Sequence, residues 1–322
     1  MTNILVTGGT GFIGSHLVRA LVKKGKRVRI LDNDFRGRLD SLKDMRNKID
    51  IIKADIRNGL DVRKAVKGMD TVFHLAYING TEYFYSEPRL VLEVGVKGTL
   101  NILDAAMAGG VQNFIFASSS EVYQIPDKIP TPENAYAIIP DVKNPRASYG
   151  GGKIMGELLT WHYTQSSKMR RVVFRPHNIY GPAMGWEHVI PQLMKKIYEA
   201  SSGFKRNKAT VKIQGTGKET RAFCYIDDAI KGILICGQKG KNGEIYNVGK
   251  EDEISVEALI KKIGRILNIK ITSKRGPLVK GSPGRRCPDT KRLRRLGYSP
   301  RVSLEEGLKK TVKWYKERLI NE

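Results

Sequence analysis

The chain has 322 residues, with 57 Lys and Arg against 32 Asp and Glu, so its net charge is +25. Hydrophobics at 40% and aromatics at 8% are ordinary for a soluble globular protein, which excludes a disordered polyelectrolyte or a fibrous repeat. No apolar run approaches the roughly 20 residues that span a bilayer, and Ile4-Leu5-Val6 meets a glycine turn too early for a secretory leader.

The basic residues are spread along the chain without the aromatic interleaving of RNA-binding strands. They read as a solvated surface biased toward an anionic substrate, so neither nucleic acid nor membrane is an expected partner. Cys224, Cys236 and Cys287 match neither metal nor disulfide spacing. No metal is expected, and the compartment expected is the reducing cytoplasm.

Strands are predicted at Ile4–Thr7, Val28–Leu31, Ile49–Lys53, Thr71–Leu75, Phe114–Ser118 and Val172–Arg175. Helical periodicity fills 12–24, 59–67, 89–108 and 149–167 between them. This alternation predicts an α/β fold, a doubly wound parallel Rossmann sheet with helices on both faces. After Pro176 come Gly- and Pro-rich loops, a helix near 189–200, a strand–helix unit at 222–236 and an amphipathic helix at 304–319. The expected organisation is an NAD-binding domain over 1–176, extended by 222–250, with a smaller substrate-binding cap from 177–221 and 251–322.

Thr7-Gly8-Gly9-Thr10-Gly11-Phe12-Ile13-Gly14 follows the first strand and opens the first helix. Gly8, Gly11 and Gly14 permit a tight turn and close backbone approach to a pyrophosphate, and the helix start offers free N–H groups. The next strand ends at Leu31-Asp32-Asn33, where a carboxylate can accept from the ribose hydroxyls of NAD and repel a 2′-phosphate. Arg36 and Arg38 stand near enough to blur that choice. NAD is the expected cofactor.

Further motifs are Asp55-Ile56, His74-Leu75-Ala76, Ser118-Ser119-Ser120-Glu121-Val122-Tyr123, Tyr149-Gly150-Gly151-Gly152-Lys153 and Arg175-Pro176-His177-Asn178-Ile179-Tyr180-Gly181-Pro182. With them the chain resembles the extended short-chain dehydrogenase/reductases, of the NAD-dependent epimerase/dehydratase family acting on nucleotide sugars. The resemblance covers nearly the full length. It implies that Phe12, Ile13, Asn33, Asp55, Ile56, Leu75, Ala76 and Pro176 join the glycines and Asp32 around a tightly bound NAD, recycled in each catalytic cycle. It also implies a homodimer paired through the helix that carries Tyr149 and the helix at 89–108.

Tyr149 and Lys153 are four apart, so on a helix they share a face. A nearby ammonium and the nicotinamide charge both favour phenolate, which lowers the tyrosine toward working pH and suits it as general base for a sugar hydroxyl. The resemblance implies that Lys153 also binds the nicotinamide ribose and that Ser119 hydrogen-bonds the reacting oxygen. Ser120 and Glu121 fall where family members differ by reaction. The 4,6-dehydratases carry Asp then Glu there, the sugar-acid decarboxylases Ser then Glu, and many C4-epimerases Ser with assorted neighbours. The expected catalytic set is Ser119, Ser120, Glu121, Tyr149 and Lys153.

On the substrate side, the resemblance implies diphosphate or nucleotide contacts from Asn178, Arg221 and Arg286. Thr81, Ser119, Glu187 and His188 are expected around the sugar, with His188 a hydrogen-bonding spectator rather than an acid or base. The chain departs from the family at Gly95, usually Asn; at Gln124, usually Gly; at Gly152, usually a small hydroxyl residue; and at Asn79-Gly80-Thr81. The function expected is NAD-dependent C4 epimerisation of a UDP- or GDP-sugar through a 4-keto intermediate. The alternatives are a decarboxylase or 4,6-dehydratase using Glu121, or a non-catalytic nucleotide sensor that binds nucleic acid.

Overall fold

The computed structural model describes residues 2–277 and 283–321. Among them the central sheet has seven strands: β1 Asn3–Thr7, β2 Arg27–Asp32, β3 Ile49–Lys53, β4 Thr71–His74, β5 Asn113–Ala117, β6 Arg170–Pro176 and β7 Glu244–Val248. Their spatial order is β7-β6-β5-β4-β1-β2-β3, and every pairing is parallel. The fold is the expected Rossmann-like α/β sheet.

The apolar runs explain why the sheet is covered on both faces. Side chains alternate along a strand, so Val6, Ile30 and Ile115 face one helical layer while Leu5, Leu31, Phe114 and Phe116 face the other. β7 is not legible as a strand by itself, because Glu244 and Asn247 interrupt its apolar pattern. It lies within 222–250 and pairs with β6 after the helix Ile226–Lys239.

Two predicted helices differ in detail. The stretch expected as one helix over 89–108 is helical at Pro88–Leu92 and Gly98–Ala108, with a π-helical turn at Glu93–Lys97 between them. The helix carrying Tyr149 spans Ala147–Leu158 and runs into a second π turn, Leu159–Tyr163.

Strand order reverses between β1 and β4, which opens a crevice above the C-terminal strand ends. Above that edge, Thr220–Ala222 pairs antiparallel with Glu253–Ser255 and parallel with Arg285–Arg286. Lys208–Lys212 pairs with Lys270–Lys274. The helices Val189–Ala200, Val256–Leu267 and Leu304–Asn321 pack with these short strands.

Candidate active site

A cleft of about 680 Å³ runs along the strand ends. Its floor is the glycine turn, with Gly8 at φ +70°, a left-handed conformation that glycine enters without strain. A Cβ at Gly14 would fall on the Gly8 carbonyl oxygen, so the helix Phe12–Lys23 starts hard against the turn. Gly11 caps that helix without a side chain, and its first turn holds no acidic residue. The leading amides of Phe12, Ile13 and Gly14 therefore remain available to an anion. The turn fits a dinucleotide pyrophosphate.

The other residues named for the cofactor lie along the same cleft. Asp32 accepts from the amides of Thr10 and Asp34, each at 2.9 Å, and so ties the turn to the loop after β2. Its carboxylate keeps further lone pairs for a ribose. Asn33 donates to Asp55 at 3.0 Å. Burial raises the Asp55 carboxyl, but the hydrogen bonds and charge of Arg57 outweigh it and hold the group below its ordinary value. Ile56 is buried, and the Leu75 and Ala76 amides donate to the Thr7 hydroxyl at 3.2 and 3.1 Å. Tyr149, Lys153 and Pro176 close the far end.

The serines at the end of β5 have separate roles. Ser118 donates to Glu157 at 2.5 Å, and Glu157 takes a forked contact from Arg175 at 2.8 and 2.6 Å. That buried ion pair anchors the Tyr149 helix to β6. Ser119 accepts from the Glu121 amide at 3.1 Å, and its hydroxyl lowers the Tyr149 phenol against the burial that raises it. Ser119 and Ser120, both expected among the catalytic residues, line neither cavity, and Ser120 is buried in the turn Ser120–Tyr123.

Tyr149 and Lys153 share the helix Ala147–Leu158 and are both buried. The protein by itself moves the phenol against the sequence expectation. Burial pushes Tyr149 up, and the Ser119 hydrogen bond only partly opposes it. Burial also pulls Lys153 down to about 7, against the raising charge of Glu157. The Lys153 ammonium donates to the Ala117 carbonyl at 2.7 Å and lies 5.9 Å from the Tyr149 ring centre. The nicotinamide charge is the remaining cause that the expectation invoked.

A second cavity, about 1190 Å³, holds Thr81, Glu121, Asn178, Glu187, His188, Arg221 and Arg286. It also holds Arg146, which sequence reasoning did not single out. Arg146 lies 3.1 Å from both Glu121 oxygens, and Arg286 lies 2.6 Å from one of them. Burial raises the Glu121 carboxyl, but Arg286 and then Arg146 outweigh it and hold it at about 2. Arg286 sits in register with Arg221, whose guanidinium donates to the Thr220 and Pro283 carbonyls at 2.7 and 2.8 Å. Among the described residues, Arg146 Nε and Arg286 Nη2 are buried without a hydrogen-bond partner. Asn178 donates to the Ala222 carbonyl at 3.2 Å. Glu187 pairs with Arg36 at 3.0 Å, and burial followed by the Arg36 charge lowers His188.

The profile of the NAD dependent epimerase/dehydratase family matches residues 4–249. The chain belongs to this family. NAD is the cofactor of the family, and the glycine turn fits it. A UDP-N-acetyl-alpha-D-glucosaminuronate decarboxylase of Bacillus cytotoxicus is 33% identical over 97% of each chain. The structure of a UDP-glucose 4-epimerase from Thermotoga maritima, with UDP-glucose, superposes with a TM-score of 0.87 at 28% identity, covering 99% of this chain and 100% of the other. That of a UDP-glucuronic acid 4-epimerase from Bacillus cereus, with UDP-glucuronic acid and NAD, gives 0.86 at 28% identity, covering 98% and 100%. The family thus includes several reactions on nucleotide sugars. Among the described residues, no helix is long and apolar enough to cross a membrane.

Sequence reasoning missed Arg146, which stands three residues before the Tyr149–Lys153 motif. Its partner Glu121 is 25 residues away, and only folding brings them together. Gln124 adopts φ +48°, a backbone region that favours glycine, and its side chain donates to the Glu121 carbonyl at 2.8 Å.

Proposed function

We propose that the chain decarboxylates a nucleotide-linked uronic acid, instead of the C4 epimerisation expected first. The observation that carries this reading is the pair of unpartnered guanidinium donors on Arg146 and Arg286, held in the second cavity by an ionised Glu121. Buried cationic donors suit an anionic acceptor. A neutral hexose has no anion at that end, whereas a uronic acid carries a carboxylate on C5. Ser120 in place of aspartate also removes the acid that the dehydratase pattern supplies.

NAD supplies the hydride acceptor for oxidation at C4 and the donor for the final reduction. Tyr149 accepts the C4 hydroxyl proton while Ser119 holds the same oxygen. The resulting ketone is β to the carboxylate. The C5–C6 bond then breaks, carbon dioxide leaves, and the electron pair delocalises onto the C4 oxygen as an enolate. C5 takes up a proton from solvent in place of the lost carboxylate, and Tyr149 returns its own to the C4 oxygen when C4 is reduced. Arg146 holds the carboxylate in place until the bond breaks, and Arg286, expected on the diphosphate, is assigned to the carboxylate with it. The same grip disfavours epimerisation, which needs the keto-sugar to turn over within the site.

Calorimetry on Arg146→Gln tests this. Affinity for a UDP-uronic acid should fall about tenfold or more, the loss of one charged hydrogen bond, while affinity for UDP stays unchanged. Equal losses for both ligands would assign Arg146 to the diphosphate and remove the support for a uronic acid.

A further inference from the structure

We propose that Tyr77 is a positioning residue, whose ring face holds the Lys153 ammonium between the Ala117 carbonyl and Tyr149. This rests on the reading of Tyr149 and Lys153 as the reacting pair. Tyr77 follows β4 in the cofactor cleft. Lys153 Nζ lies 3.8 Å from the centre of its ring, closer than to the rings of Phe116 at 5.1 Å or Tyr149 at 5.9 Å. The Tyr77 ring also meets Tyr149 edge to face, with centroids 5.2 Å apart, and Phe84 stacks on Tyr149 at 4.7 Å. One side chain thus touches both members of the pair.

The seat for Tyr77 is made by two glycines. A Cβ built at Gly95 or at Gly152 would fall on the Tyr77 hydroxyl. These are two of the positions where the chain departs from its family, on two different helical segments. Gly95 is the middle residue of the π turn Glu93–Lys97, and Gly152 lies one residue before Lys153. The two departures together open one notch, and the phenol fills it. The hydroxyl has no hydrogen-bond partner among the described residues, so Tyr77 is seated by the packing of its ring rather than by a hydrogen bond.

The groups facing Lys153 are few. Glu157 lies one turn further along its own helix and favours the ammonium. His74 on β4 is buried, and its own value is held down first by burial and then by Lys153. Ala117 on β5 offers its carbonyl. The rings of Tyr77, Phe116 and Tyr149 complete the shell. An aromatic face stabilises a desolvated cation, so removing it favours the neutral amine.

The test is a carbon-13 NMR titration of the Lys153 Cε resonance in the full chain, assigned by its loss in Lys153→Arg. Tyr77→Leu should move the Lys153 titration about one pH unit lower, whereas Tyr77→Phe, which keeps the ring face, should leave it in place. Gly95→Ala gives a second route to the same shift, because the methyl falls on the Tyr77 ring and displaces it without touching Lys153. In turnover, Tyr77→Leu should lower kcat about tenfold with KM for the nucleotide sugar nearly unchanged. An unshifted Lys153 titration in Tyr77→Leu and Gly95→Ala would overturn the proposal. Tyr149→Phe tests the underlying reading separately. If that variant still turned over while Lys153 shifted in Tyr77→Leu, the assigned base would be wrong and the Tyr77–Lys153 contact would stand.

Discussion

Glu121 is a buried carboxylate whose neighbours decide what it can do. Held at about 2 by Arg286 and Arg146 against the raising effect of burial, it stays ionised through the neutral range and cannot serve as an acid there. Its folded value is depressed, so the stability it contributes is present above the ordinary 4.5 and is lost as pH falls toward about 2. That contribution is about 3 kcal/mol. In acid unfolding followed by circular dichroism, Glu121→Gln should lose correspondingly less stability across that window than the native chain. It should also be less stable at neutral pH, because two buried guanidiniums lose their counter-charge. The sequence marked Glu121 as decisive but left its role open. Its two arginine partners lie 25 and 165 residues away, and a pairing at such separations leaves no local pattern.

At the scale of elements, the glycine turn was the most legible part of the site. Its signal is local, since turn, helix start and strand end lie within a few residues of one another. Gly14→Ala places a methyl on the Gly8 carbonyl and should push the helix start away from the pyrophosphate position. Calorimetry should show NAD binding at least about tenfold weaker, with the far-ultraviolet circular dichroism retained. The helix expected at 89–108 was legible in position but not in form. In its π turn at Glu93–Lys97, Gly95 faces a neighbour outside the helix, Tyr77. Gly95 and Gly152 were visible as departures from the family. What they made room for was not visible, because a gap in sequence does not name the side chain that fills it. β7 was obscured in a similar way, since its polar residues are satisfied by partners elsewhere. Asn247, for example, accepts from Tyr123 at 2.9 Å.

At the scale of the whole molecule, the parallel, doubly wound sheet followed from strand–helix alternation, and the site sits where the strand order reverses. The short strands above the sheet were less legible, because pairs such as Arg285–Arg286 with Thr220–Ala222 carry too few residues for a pattern. The charge of +25 acts over longer distances than any of these contacts. It should attract an anionic nucleotide sugar, and salt should screen that attraction. Raising ionic strength from low to physiological should therefore increase KM several-fold while kcat changes little. Arg36 and Glu187 are 151 residues apart and join the loop after β2 to the segment before Val189–Ala200. Arg36→Ala should speed NAD release in stopped-flow about fivefold, the effect of losing a partly exposed ion pair.

The most direct test of the central claim is product analysis. The NAD-loaded protein would be incubated with UDP-glucuronic acid, an N-acetylated UDP-uronic acid and UDP-glucose, and the products read by mass spectrometry and proton NMR. The account predicts loss of carbon dioxide from a uronic acid, a UDP-linked pentose or its N-acetylated counterpart as product, and no change in UDP-glucose. A uronic acid of unchanged mass with inverted C4, or turnover of UDP-glucose alone, would contradict it.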